Sequence, residues 1–367
     1  MRVDLSLPRH DSGEFPTVVD TDHSFGALTQ LLHEVHGERQ KFVIVDANVA
    51  ALSPLLMQSL NRPRVTVIQV PAGETHKTWD TTGTLLHQII SHGPSRDDLI
   101  VGIGGGTILN TAGVVAGVLL RGMPLIHIPT TLTAQADVCL GGKQAVNFLG
   151  YKNQVGLYYD PVHCYINTAF HHTVVASELR LQLVEGLKLC MAASASEFWD
   201  IYGRLATFDG RDDVAMAELV IRLLRLKAPF VRTDPFELRE GLCLMYGHTV
   251  GHAIEMASQG AVSHCEAVAI GMAVAARIAH ALGLCDWSHV DLHCDLARLV
   301  GVAPVIPLQL SPSVINEHLQ HDKKKYRGTI RFVLTNAVGV MVQQDGQYFS
   351  IVPFDAVSRA LSESYGG

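Results

Sequence analysis

The sequence predicts an α/β domain built on a parallel sheet, followed by a mainly helical domain. Three observations predict this. Strand-like and helix-like runs alternate through the first half; three consecutive glycines mark one strand-to-helix junction; and from about Thr173 apolar residues recur at helical spacing with few strand patterns. At 367 residues the chain is long for one domain. The change of pattern places a boundary within residues 168–174, giving domains at 1–170 and 171–367.

The first half can be followed element by element. "KFVIVDANVAAL" reads as a buried strand, Phe42 to Val45, that breaks at Asp46 and enters a helix. "RVTVIQVPAGETHKTWDTTGTLLHQIIS" is a strand, a Pro-Gly loop and a helix. "DDLIVGIGGGTILNTAGVVAGVLLRGMPLIHIPTT" repeats the scheme and ends at Thr130 and Thr131. Its apolar tract before Arg121 suits a buried helix. Such alternation implies ligands at the C-terminal ends of parallel strands. Gly104, Gly105 and Gly106 would let the backbone approach a pyrophosphate and aim helix amides at it, although the spacing is not GxGxxG. A tight strand-to-helix turn is the simpler alternative. Asp46 and Asn48 after one strand, with Glu74 and Lys77 after another, add polar groups where a ribose would sit.

Composition excludes several classes of function. A hydrophobic fraction of 48% with 17% charged residues describes a well-buried globular chain. The formal charge of −7 offers no field for nucleic acid or an anionic membrane. No stretch has the length of a transmembrane span or the pattern of a signal peptide. Seven cysteines without a CxxC arrangement read as reduced thiols of a cytoplasmic protein.

In the second half, "ASELRLQLVEGLKLCMAASASEFW" and "RDDVAMAELVIRLLRLKAPFV" are amphipathic helices. "YGHTVGHAIEMASQGAVSHCEA" carries His248 and His252 four apart, and His264 twelve further on. Two histidines four apart share one helix face, and neutral imidazole is a common metal ligand. A catalytic site still needs a third donor, commonly a carboxylate, with one position left open. Glu185, in an otherwise apolar helix three residues before Lys188, is the candidate for that carboxylate; its burial would be costly unless paired or metal-bound. Lysines and arginines number only 28, yet Arg121, Lys143, Lys152, Lys188, Lys227 and Lys323–Lys325 recur beside the glycine and polar motifs. As a set they point to a phosphorylated substrate.

These motifs resemble the sugar phosphate cyclases related to 3-dehydroquinate synthase. The similarity runs through "VDANV", "PAGETHKT", "GIGGGTILNTAG", "RGMPLIHIPTT", "GGKQAVN", "GYKNQVG", "VEGLKLC", "YGHTVGHAIE", "SHCEAVAIGM" and "HDKKKYRG", in that order. The resemblance implies an α/β N-terminal Rossmann-like domain plus an α-helical C-terminal domain. It also implies tightly held NAD, one divalent metal (zinc or cobalt) in the cleft, and a homodimer. It makes Glu185, His248 and His264 the metal ligands, and gives catalytic roles to His252, Lys143, Lys188 and Glu255, with His252 at the substrate phosphate. Asp137, Lys152, Asn153, Lys227, Lys324 and Arg121 would bind substrate, Arg121 in the neighbouring subunit's phosphate site. Asp46, Asn48, Glu74, Lys77, Gly105, Gly106, Asn110, Thr130 and Thr131 would contact NAD. The implied chemistry is transient oxidation of an alcohol, elimination of phosphate, re-reduction, ring opening and an intramolecular aldol.

Departures from the family pattern select a branch. Dehydroquinate synthases carry Asp where this chain has Asn110, and an arginine for the substrate carboxylate where it has Gly241. Without that guanidinium a carboxylate lacks its fork of donors. Asn110, "KQAVN", Gly241 and "ASQG" instead resemble the 2-deoxy-scyllo-inosose synthases, which act on glucose 6-phosphate. Met245 stands where that branch has Glu, and a thioether accepts a sugar hydroxyl's hydrogen bond poorly. "NFLGYKN" resembles the 2-epi-5-epi-valiolone synthases. From another class, a metal-dependent polyol dehydrogenase would need no lysine set.

Overall fold

A computed structural model of the chain describes residues 1–325 and 330–365, with the side chains of 34–35 and 320–325 outside the described set. The chain folds as two compact units, Met1–Val175 with Gly210–Pro235, and Ala176–Asp209 with the chain from Phe236 onward.

The first unit is organised around nine strands: β1 (Arg2–Pro8), β2 (Glu14–Asp20), β3 (Lys41–Asp46), β4 (Val65–Val70), β5 (Leu99–Gly104), β6 (Leu125–Pro129), β7 (Lys143–Phe148), β8 (Tyr151–Tyr158) and β9 (His163–Asn167). Seven form one sheet in the order β1-β2-β9-β6-β5-β3-β4, parallel throughout except for the β1–β2 hairpin. The continuous apolar runs of β3, β5 and β6 are buried along almost their whole length, as expected of parallel strands covered on both faces. Alternate residues divide between two cores. Val43, Val45, Val101 and Ile103 join Leu28, Leu56 and Phe170, while Phe42, Ile44 and Ile100 join Leu85, Ile108 and Val115.

The chain leaves β3 toward β4 and returns to the other side of β3 as β5, so the winding direction reverses between β3 and β5. Ligands of open α/β sheets bind outside the strand ends at such a reversal. The apolar tract forms the buried helix Gly106–Val118, which packs on β5 and also under the antiparallel β7–β8 hairpin. Gly104 makes the turn into that helix possible, because a Cβ there would stand 2.7 Å from the Ile108 side chain.

The second unit is mainly helical. The helix His264–Ala281 is buried along most of its length and packs on the helices His248–Ala257, Trp287–Leu299 and Phe354–Ser362. Short strand pairs, Arg331–Phe332 with Ser350–Ile351 and Thr335–Ala337 with Val340–Met341, complete it. Among the described residues no helix is long and apolar enough to cross a membrane.

The division differs from a single cut at 170. Residues 171–175 stay with the first unit, and the helix Asp213–Thr233 returns to it, packing on β1, β2 and the turns Ala134–Val138 and Thr168–Thr173. Helical periodicity shows that a helix has a buried face but not which core covers it.

Candidate active site

Three helices of the second unit bring the ligand-type side chains together. Glu185 lies in the first turn of Val184–Ala193, His248 begins His248–Ala257, and His264 begins His264–Ala281. The last two helices cross closely because glycine faces glycine: a Cβ at Gly271 would lie 2.1 Å from the Gly247 carbonyl oxygen. Gly247 itself has φ 77, a left-handed conformation that glycine adopts freely. Ser263 and Glu266 form a capping box that sets the start of the His264 helix.

The ligand atoms of Glu185, His248 and His264 all lie within 4.8 Å of one another. Glu185 Oε1 is 3.2 Å from His264 Nε2 and 3.7 Å from His248 Nε2, and its Oε2 is 2.6 Å from Lys188 Nζ. His248 Nδ1 donates to the Tyr246 carbonyl at 3.1 Å. Burial first, then the Lys188 charge, hold the His248 ring well below its usual pKa, so it is neutral. With its proton on Nδ1, its Nε2 lone pair faces a carboxylate oxygen. Two acceptors face each other, an arrangement that a cation completes. Burial alone would push the Glu185 carboxyl up, but Lys188, His248 and His264 hold it well below the usual carboxylate range. Burial likewise lowers His264, yet its bonds to Glu185 and to Glu255 outweigh that and push it up to about 10. The donor set of two imidazoles and a carboxylate fits zinc or cobalt. The His264 side chain is 40% exposed while Glu185 is 2% exposed, so the group opens on the His264 side, where a fourth position would be reached.

The neighbours are ordered too. Glu255 Oε2 lies 3.3 Å from His264 Nδ1, which orients that ring from behind. The His252 ring stands 5.1 Å from His248 and 6.1 Å from His264 by centroids. Behind His248, the Tyr246 hydroxyl and His293 Nε2 are 2.8 Å apart, and His293 Nδ1 donates to the His289 carbonyl at 2.7 Å. Tyr246 was not singled out from sequence, and its contact runs through backbone, which leaves no residue-type signal.

The first unit gathers the other group at its strand ends. Asp46 ends β3 and its Oδ1 caps the following helix at Asn48 and Val49, while Gly104 ends β5 beside Pro129 of β6, with Thr130 and Thr131 next. The helix starting at Gly106 has no side-chain cap, so its first amides are open to a pyrophosphate, and the reversal between β3 and β5 lies alongside. This arrangement fits a dinucleotide. Glu74 accepts from Thr107 Oγ1 at 3.1 Å and from Asn147 Nδ2 at 3.0 Å. Lys77 Nζ donates to Asn153 Oδ1 at 2.6 Å, and Lys152 Nζ is 3.9 Å from Glu74. Asn110 ties helix to hairpin, donating to Gly106 O at 2.8 Å and accepting from Ala145 N at 3.2 Å.

The expected substrate residues are distributed unevenly. Lys143, Lys152 and Asn153 lie on the β7–β8 hairpin, the first and last exposed. Lys227 is buried and donates to Asp137 Oδ1 at 2.7 Å, to Asp137 O at 2.7 Å and to Leu140 O at 2.8 Å. Arg121 is exposed on the turn Leu119–Arg121 with φ 62. The side chain of Lys324 lies outside the described residues. Asn147 and Thr107 join the polar network without having been expected. Strand alternation carried a signal for Asn147, since Lys143, Ala145 and Asn147 share one face of β7 while Gln144 and Val146 are buried on the other.

The 3-dehydroquinate synthase N-terminal family matches residues 67–181, and the 3-dehydroquinate synthase C-terminal family matches residues 183–325. The chain belongs to the 3-dehydroquinate synthase family. Among its relatives, a 2-deoxy-scyllo-inosose synthase of Streptoalloteichus tenebrarius is 38% identical over 88% of this chain and 86% of its own length. A 3-dehydroquinate synthase of Desulforamulus reducens is 34% identical over 82% of this chain and 85% of its own. A solved 2-deoxy-scyllo-inosose synthase complexed with carbaglucose-6-phosphate, NAD+ and Co2+ superposes with a TM-score of 0.85 at 27% identity. The match covers 99% of this chain and 100% of that one.

Proposed function

We propose that the chain is a sugar phosphate cyclase, a lyase that converts glucose 6-phosphate into 2-deoxy-scyllo-inosose and inorganic phosphate. The observation that carries this is the convergence of Glu185, His248 and His264, with Lys188 and His252 beside them, in a member of this family. Product plus phosphoric acid has the composition of the substrate, so no oxidant is consumed. When bound, NAD would supply reversible hydride exchange at a secondary alcohol, and a divalent zinc or cobalt ion would supply Lewis acidity at its oxygen.

The chain's own residues do the rest. Lys188 keeps Glu185 charged and oriented, and Glu255 orients the His264 ring through Nδ1 so that Nε2 faces the metal position. His252 holds a proton toward an oxygen of the departing phosphate, stabilising its charge. Lys143, Lys152 and Asn153 donate to substrate oxygens from the hairpin. Asp137 takes part as oriented by Lys227, and Lys324 and Arg121 add positive charge for the phosphate. Asp46, Asn48, Glu74, Lys77, Gly105, Gly106, Asn110, Thr130 and Thr131 hold NAD. The working form is a cytoplasmic homodimer, which solution mass measurement would test.

Gly241 disfavours a substrate carboxylate, and hence the dehydroquinate reaction. Met245, which cannot serve a sugar hydroxyl as Glu would, favours a second reading with another sugar phosphate, and the stretch "NFLGYKN" makes sedoheptulose 7-phosphate that candidate. The test is phosphate release with NAD and cobalt or zinc from glucose 6-phosphate, sedoheptulose 7-phosphate and the seven-carbon keto-acid phosphate, each offered alone. Release from glucose 6-phosphate without accumulation of NADH is expected. Release only from another substrate moves the branch. NADH build-up on an unphosphorylated polyol, with no phosphate released from any of the three, overturns the cyclase.

A further inference from the structure

A second group of ligand-type side chains converges on the surface of the first unit. His23 lies in the turn after β2, His172 in the turn Thr168–Thr173 after β9, and Asp213 is the first residue of the helix Asp213–Thr233. His23 Nε2 is 2.8 Å from Asp213 Oδ2, and His172 Nε2 is 3.1 Å from Asp213 Oδ1. The two rings meet edge to face with centroids 5.0 Å apart. One ligand atom from each residue lies within 4.8 Å of the other two. Thr168 Oγ1 donates to Asp213 Oδ1 at 3.1 Å and steadies the carboxylate, as outer partners of metal ligands do.

The spacing is informative. Tetrahedral zinc with bonds of about 2.0–2.1 Å holds its ligand atoms roughly 3.3 Å apart. The separations here are within about half an ångström of that but run to different oxygens of one carboxylate, 2.8 Å from His23 Nε2 to Oδ2 and 3.1 Å from His172 Nε2 to Oδ1. A zinc ion would therefore take the place of the protons between rings and carboxylate. Two imidazoles disfavour magnesium and calcium, which prefer oxygen ligands. Both histidines are exposed and Asp213 is half-buried, so water can complete the coordination shell.

We propose that His23, His172 and Asp213 form a second divalent metal site, one that takes zinc and has no part in the chemistry at Glu185. The three residues come from segments far apart in the chain. An ion there cross-links the end of β2, the end of β9 and the start of the returning helix, which also carries Lys227. Its role is a clamp on the segment Gly210–Pro235.

The test is equilibrium dialysis of the untagged, chelator-stripped full chain against zinc. Replacing both histidines, H23A/H172A, is expected to remove one zinc equivalent per chain, and D213N to remove the same one. E185Q is expected to keep it, and zinc should raise the thermal midpoint of E185Q but not of E185Q/H23A/H172A. The expected loss of one equivalent does not depend on whether the Glu185 group binds metal, so failure of the cyclase proposal leaves this result readable. Equal zinc binding by the wild type and H23A/H172A would overturn the site, leaving the cluster as hydrogen bonds alone.

Discussion

Each imidazole nitrogen around Glu185 has its own duty. His248 gives its Nδ1 proton to the Tyr246 carbonyl, and His264 turns Nδ1 toward Glu255, so both present Nε2 to the same carboxylate oxygen. Spacing along the helix showed that His248 and His252 share a face, but not which nitrogen points where. Only the resemblance separated ligand from neighbour. Glu185→Gln should lower phosphate release at least about 100-fold, with no recovery at high metal, because a first ligand and its charge are lost. Glu255→Gln should weaken metal binding by about 10–100-fold while far-ultraviolet circular dichroism stays unchanged. In that variant excess metal should restore turnover, and a metal titration followed by activity would separate the two cases.

Elements place these residues through close backbone contact. The His248 and His264 helices approach where Gly271 meets the Gly247 carbonyl, and a methyl group there has no room. Gly271→Ala should therefore cost about 1–3 kcal/mol, read as a lower urea midpoint, and should also loosen metal binding by moving His248 away from His264. The β7–β8 hairpin shows the opposite case. Its strands were not assigned from sequence, because the alternation in "KQAVN" spans only a few residues and the polar, largely unburied "YKNQVGLY" shows no clear apolar face. Yet the hairpin carries Lys143, Asn147, Lys152 and Asn153 beside Glu74 and Lys77. The buried strands β3, β5 and β6 were legible because a parallel strand covered on both faces needs an unbroken apolar run.

At the scale of the molecule, the helix Asp213–Thr233 returns to the first unit and is held there by Lys227, whose ammonium serves three oxygens of the segment 137–140. Lys227→Met should lower unfolding stability by about 2–3 kcal/mol. That is less than for a fully buried pair, because Asp137 keeps a third of its side chain exposed. A chemical denaturation curve would measure it. The sequence by itself determined the parallel sheet, the glycine junction at Gly104–Gly106, the helical second half and the residue types of the Glu185 group. These follow from local needs: the period of apolar residues, the room that glycine leaves, and the cost of burying an unpaired carboxylate. Only the tertiary structure decided which unit the Asp213 helix joins, that Lys227 answers Asp137, that Tyr246 orients His248, and that His23 and His172 meet at Asp213. Apart from the nearby Tyr246–His248 pair, these contacts join residues dozens of positions apart in the chain. They depend on which buried faces and backbone carbonyls meet, and periodicity along one segment carries no information about its partner.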